Sequence, residues 1–141
     1  MPRTATCACG RLTVTVEGEP AAVATCHCDF CQKRTGSVFG VAAYFDAEEQ
    51  LAVHGEVHVF NGLELDGVGD AAGNSTSYHF CPTCGSTLFW ITSGENPVLG
   101  MAVGNFVDPG FPKPVMELHE ELRHHWVPPV PGALSVDPHA T

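Results

Sequence analysis

Seven cysteines stand in three tight groups: Cys7-Ala8-Cys9-Gly10, Cys26-His27-Cys28-Asp29-Phe30-Cys31 and Cys81-Pro82-Thr83-Cys84-Gly85. The outer two groups supply four thiols, enough to close one tetrahedral zinc site of the kind that is normally structural. The middle group supplies three and leaves a coordination position open, as zinc sites that do chemistry do. Two residues between Cys81 and Cys84 let both sulfurs meet one ion about 2.3 Å away. The glycine after that pair permits the tight turn that aims backbone N–H groups at the thiolates. Cys7 and Cys9 form a tighter pair, with Gly10 in the same place. A metal joining the two pairs closes a loop of more than 70 positions and so contributes directly to folding. The same spacings also occur in redox sites, an alternative the cysteines alone leave open.

The middle group implies a different chemistry. Three thiolates on Zn²⁺ leave a net charge of −1, so the ion is a weaker Lewis acid than one held by neutral histidines. Such a centre is poorly suited to acidifying water and well suited to capturing another soft thiolate. A free thiol has a pKa near ~8.5, and metal ligation holds it ionised at neutral pH. The chemistry expected of Cys26, Cys28 and Cys31 is therefore activation of a small thiol for attack on an electrophile. A helix starting near Asp29 would add its N-terminal dipole in support of thiolates. Lys33 and Arg34 follow directly. Of the six basic residues, Arg3, Arg11, Lys33 and Arg34 lie near the first two cysteine groups. That bias marks an anion-receiving mouth, in which Lys33 or Arg34 would hold a substrate carboxylate; solvated surface charge is the plainer alternative. A fourth protein ligand would close the site, with His79 a better candidate than His27, whose side chain should diverge from those of its cysteine neighbours. Either histidine is also a candidate for moving a proton.

Short strands must position these groups. Leu12 to Val16 alternates apolar and hydroxyl side chains, the mark of a half-buried strand. Val23 to Thr25 leads into the middle cysteines as another. Asp29 to Arg34 fits one helical turn, which Gly36 would end. Val38 to Phe45 reads as a buried strand, and Leu51 to Phe60 as one or two strands turning at Gly55. Gly62 to Asn74, rich in glycine and acids, reads as a mobile surface loop. Ser75–Phe80 and Ser86–Ile91 flank the third cysteine group as strand, knuckle, strand. Val98 to Val103 is a further strand, and Asn105 to Pro114 is turn-rich. Val115 to Trp126 fits either a helical stripe or a broken strand. Phe39, Tyr44, Phe45, Phe89 and Trp90 read as core. Residues 1–127 form one domain, and the Pro-rich stretch 128–141 is expected to fray.

Composition narrows the partners. The 141 residues carry 16 acids against six Lys and Arg, a formal charge of −10, the opposite of a nucleic-acid binder or a ligand of acidic membranes. No apolar stretch approaches the roughly 20 residues needed to span a bilayer, and the first residues lack a signal-peptide core. The expectation is a cytoplasmic protein, in which clustered cysteines read as metal sites.

These residues resemble the glutathione-dependent formaldehyde-activating enzyme family, which also includes centromere protein V. The resemblance runs from Cys7 to about Trp126. It is carried by Cys7-x-Cys9-Gly10, by Cys26-His27-Cys28-x-x-Cys31-Gln32-Lys33 with Gly36, and by Phe80-Cys81-Pro82-x-Cys84-Gly85-Ser86 with Leu88-Phe89-Trp90. Gly104-Asn105-Phe106-Val107-Asp108-Pro109 and Trp126 complete it. The resemblance implies a mainly β, Mss4-like (β-tent) fold and a strand, not a helix, across Val115 to Trp126. It also implies a structural zinc on Cys7, Cys9, Cys81 and Cys84, and a second, catalytic zinc on Cys26, Cys28 and Cys31. The activity implied is that of a carbon–sulfur lyase, adding glutathione to formaldehyde. Two departures stand out: the acidic Gly62 to Asn74 segment, and His79 where relatives often place a basic residue. A non-catalytic zinc scaffold for a protein partner is the alternative, although it needs no open position. A methionine-sulfoxide-reductase-like activity needs a free nucleophilic cysteine, and all seven here fall in zinc-like groups.

Overall fold

The computed structural model describes residues 1–46, 51–62 and 75–136. The first element, β1 (Arg3–Thr6), pairs antiparallel with β2 (Thr13–Val16), and β2 pairs with β5 (Leu51–His54). In β2 the expected alternation holds: Val14 and Val16 are fully buried, while Thr15 faces outward and meets Thr4 across the strands at 3.2 Å.

The larger sheet runs in the order β11 (Leu134–Val136), β10 (Met116–Leu118), β3 (Ala22–Cys26), β4 (Gly40–Phe45), β9 (Leu99–Ala102), β8 (Thr87–Thr92), β7 (Thr76–Phe80) and β6 (His58–Asn61). One face packs on the small sheet: Val23, Ala43, Phe45, Phe89, Leu99 and Met101 meet Ala5, Leu12, Val14 and Val16 in one cluster. Each large side chain there contributes about 1.5–3 kcal/mol by leaving water. This is the mainly β architecture expected.

The other face of the large sheet carries a cross-strand row. Tyr44 lies opposite Gly100, Gly100 opposite Trp90, Trp90 opposite Tyr78 and Tyr78 opposite Phe60. Any Cβ on Gly100 would overlap the Trp90 indole, so the indole lies flat over the glycine. Trp90 is buried, as expected of a core residue, but it and Tyr44 lie on the face opposite Phe45 and Phe89. Successive strand residues point to opposite faces, and only Phe45 and Phe89 belong to the inter-sheet core.

The helix α1 (Asp29–Thr35) crosses this second face. Seven residues are too few to hold a helix alone. Its ends are capped: the Cys28 sulfur accepts from the Cys31 N–H at 3.3 Å, and Gly36, at φ +72°, donates to the Gln32 carbonyl at 2.8 Å. Its side chains anchor it. Phe30 packs on Tyr78 with centroids 4.9 Å apart, and the Arg34 guanidinium lies 4.6 Å above the Trp90 ring.

Three expectations need correction or fall outside view. Between Val115 and Trp126 only Met116–Leu118 is strand; His119 then takes a left-handed turn (φ +55°) into a 3₁₀ turn, Glu120–Leu122. The Pro-rich stretch does not simply fray, because Leu134–Val136 adds in parallel to β10. The acidic loop expected over Gly62 to Asn74 lies, beyond its first residue, outside the described residues. Among the described residues no helix is long and apolar enough to cross a membrane.

Candidate metal centres

The outer cysteine groups meet. The sulfurs of Cys7, Cys9, Cys81 and Cys84 lie within 4.8 Å of one another, with Cys7–Cys9 at 3.6 Å and Cys9–Cys81 at 3.7 Å. A tetrahedron of sulfurs 2.3 Å from zinc has edges of about 3.8 Å, so this arrangement fits a zinc-sized ion with little movement. Two similar turns make it. Gly10 donates to the Cys7 carbonyl at 3.0 Å and Gly85 to the Cys81 carbonyl at 2.8 Å, both at φ near +80°. Ser86 ties them together: its hydroxyl accepts from the Ala8 N–H at 3.1 Å and sits 3.3 Å from the Cys84 sulfur. That hydroxyl, with the Ser86 N–H, pulls the Cys84 thiol down to about 5. Leu12 N–H points at the Cys7 sulfur at 3.2 Å. Cys7 and Cys81 are buried beside the inter-sheet core, so this group fastens the N-terminal hairpin to the β7–β8 hairpin.

Cys26, Cys28 and Cys31 form the second group, again with sulfurs within 4.8 Å and all half-buried. Cys26 ends β3, Cys28 caps α1 and Cys31 stands one turn later. The three sulfurs compete for protons. Hydrogen bonds from the thiols of Cys26 and then Cys31 hold Cys28 down at about 2, so it is a thiolate. Donating to Cys28 pushes Cys26 up to about 11 and, with Cys26 as its main partner, Cys31 higher still. A divalent ion would bind the one anion and displace the two held protons. Among the described residues no histidine or carboxylate joins this group as a fourth ligand.

Both candidate histidines are placed elsewhere. His27 is fully buried, and its Nε2 lies 3.1 Å from Glu117 Oε1, itself nearly inaccessible. Glu117 Oε2 accepts from Arg123 at 3.2 Å and from the Val130 N–H at 3.3 Å. Gln32 of α1 donates to the His27 carbonyl at 3.0 Å and meets His124 at 3.2 Å. His27 thus pins the loop between Cys26 and Cys28 to β10 and the segment after it. His79 stacks on Phe89, 4.3 Å between centroids, on the face of β7 opposite Tyr78. The His27–Glu117–Arg123 network was not read from the sequence. A histidine between two ligating cysteines was its only local signal, because Glu117 lies 90 positions away.

Two phenols and one cavity complete the surroundings. Burial first, and then Cys26 and Cys31 wherever they ionise, push Tyr44 up to about 12. Burial and Cys31 do the same to Tyr78. Both phenols are therefore hydrogen-bond donors at neutral pH. Gly40 lines a cavity of about 460 Å³. A Cβ built on it would lie 3.6 Å from the Cys31 Cβ and 3.0 Å from Arg34 Nη2. The cavity runs from Arg34 and Thr35 to Asn105 and the Cys84–Ser86 turn. Lys33 is exposed on α1 and does not line it.

Comparison with known proteins agrees with this geometry. The model of a family described as "Glutathione-dependent formaldehyde-activating enzyme" matches residues 2–122. No curated protein matches. Among solved structures, a Rhodobacter sphaeroides protein is similar, with 23% identity over 78% of this chain and 89% of that one, at a TM-score of 0.53. The fold is Mss4-like.

Proposed function

The chain belongs to the glutathione-dependent formaldehyde-activating enzyme family, and from that premise we propose that it is a zinc-dependent enzyme of the carbon–sulfur lyase type. It would add a small thiol, glutathione or a similar one, reversibly to formaldehyde or another aldehyde. The observation that carries this reading is the inequality of the two sulfur groups, four in one and three in the other. Cys7, Cys9, Cys81 and Cys84 would hold a structural zinc, and Cys26, Cys28 and Cys31 a catalytic one. A zinc ion held by three thiolates supplies a soft, open position that keeps an incoming thiol ionised at neutral pH.

The chain's own residues do the rest. The Cys28 sulfur, fixed by the Cys31 N–H, and the His27–Glu117 contact hold the three sulfurs in register. The substrate sulfur attacks the aldehyde carbon and forms the C–S bond, while the C=O π pair moves to oxygen. The proton shed by the thiol ends on that oxygen, so no oxidant or reductant is needed. Tyr44 and Tyr78, protonated and facing the sulfurs' charge, are the donors for the developing alkoxide. They take the place expected of His27 or His79. A scaffold role leaves the three-sulfur group without a purpose. Exchange NMR of zinc-loaded protein with formaldehyde and glutathione tests the proposal: adduct formation accelerates, and Cys28→Ala abolishes the acceleration. No acceleration with any of several thiols overturns it.

A further inference from the structure

Arg34 differs from the other arginines that the structure ties down. Arg3 meets Glu19 and Asp108, and Arg123 meets Glu117 and Glu120. Arg34 makes no hydrogen bond or ion pair with any described residue, in a chain with 16 acids. Its guanidinium instead lies flat on Trp90, which fixes the plane and leaves the donor edges free. The same guanidinium borders the 460 Å³ cavity and shares Gly40 with Cys31. A planar, pre-oriented fork without a partner among the described residues, carried on the same helix three positions after Cys31, is a receptor for a planar anion, and a carboxylate matches it with two parallel hydrogen bonds.

The rest of the cavity limits what else the ligand carries. Among the described lining residues Arg34 is the one cation, and no aspartate or glutamate is present. The remaining polar groups are neutral or sulfur: Thr35, Ser86, Thr87, Asn105 and Cys84. Among the described lining residues a second carboxylate finds no further cation. We propose that Arg34 and the cavity beyond Gly40 form a carboxylate subsite, and that the cognate thiol is a compact one carrying a single carboxylate. Glutathione, with two carboxylates, leaves the second unmatched by the described lining. Trp90 and Gly40 are positioning residues here: one holds the guanidinium, and the other leaves room for it beside Cys31.

This inference rests on the reading of the three-sulfur group as a thiol-binding centre, and one experiment separates the two. Cobalt(II)-substituted full-length protein is titrated with 3-mercaptopropionate, 2-mercaptoethanol and glutathione, following the thiolate-to-cobalt charge-transfer band. The expected order is 3-mercaptopropionate tightest, by about 10- to 100-fold over 2-mercaptoethanol, with glutathione no tighter than 3-mercaptopropionate. Arg34→Gln collapses the first affinity onto the second. Arg34→Lys, which keeps the charge but loses the fork, restores part of the difference. If no thiol alters the band, the thiol-centre reading falls and takes the subsite with it. If every thiol alters it with similar affinity, or Arg34→Gln leaves the order intact, the subsite alone is overturned. Tighter binding of glutathione than of 3-mercaptopropionate overturns the single-carboxylate claim.

Discussion

The two sulfur groups are built from similar knuckle chemistry and differ in what surrounds them. The four-sulfur group joins elements 72 positions apart, has two buried members and abuts the inter-sheet core. The three-sulfur group is local, within six residues and half-buried, and its helix packs on an aromatic row. Closure over a long loop makes a metal part of the fold, whereas a local, open cluster can gain or lose its ion while the sheets persist. On the proposed function, the difference teaches that ligand count and chain separation together would divide structural from chemical work.

The largest expected effect tests that division. Cys81→Ser removes a buried member of the four-sulfur group. It should cost several kcal/mol, comparable with the whole stability of about 5–15 kcal/mol, and yield insoluble or unfolded protein by circular dichroism. Cys28→Ala should stay folded, losing about 1 kcal/mol for the helix cap, and mass spectrometry should count one zinc in place of two. Two folded variants, or two unfolded ones, would erase the distinction.

Next comes the buried support. Glu117→Ala strands His27 without its partner and should cost roughly 1–3 kcal/mol, lowering Tm by about 3–10 °C. Zinc affinity should fall at the three-sulfur group and not at the other, read by chelator competition. Equal weakening at both sites would mean that Glu117 serves the fold at large.

Protonation gives a third contrast. At pH 7 Cys28 is already ionised while Cys26 and Cys31 hold their protons. The second equivalent of zinc should therefore release about two protons, measured by calorimetry in buffers of different ionisation heat. The sign for the metal-free protein follows from Cys26, whose pKa is raised from 9.0 to about 11. Its contribution to stability is full below pH 9.0 and is lost as pH rises through about 11. Metal-free protein should lose melting temperature over that window, and the zinc-loaded form should not. The smallest effect is Gly36→Ala: the left-handed cap at φ +72° should cost about 1 kcal/mol and loosen α1 without touching the four-sulfur group.

Much of this was legible in the sequence because cysteine spacing is local chemistry. Both groups, the helical turn at Asp29 and the cap at Gly36 follow from residue type and order alone. What stayed hidden depends on which strands become neighbours. Glu117 finds His27 only because β10 pairs in parallel with β3. Tyr44, Trp90 and Tyr78 share a face only through the strand register. The reading of Val115 to Trp126 failed at His119, where a left-handed residue ends the strand without any glycine to announce it. Apolar aromatic residues look alike in sequence whether they face the inter-sheet core or the helix.

The central claim is that one group is closed and the other open to an external thiol. X-ray absorption at the zinc edge of fully loaded protein, with and without 3-mercaptopropionate or glutathione, tests it most directly. The account predicts a mean of about 3.5 sulfurs per zinc rising to about 4 on adding thiol. A spectrum unchanged by either thiol, with protein nitrogen completing the second site from the start, would contradict it.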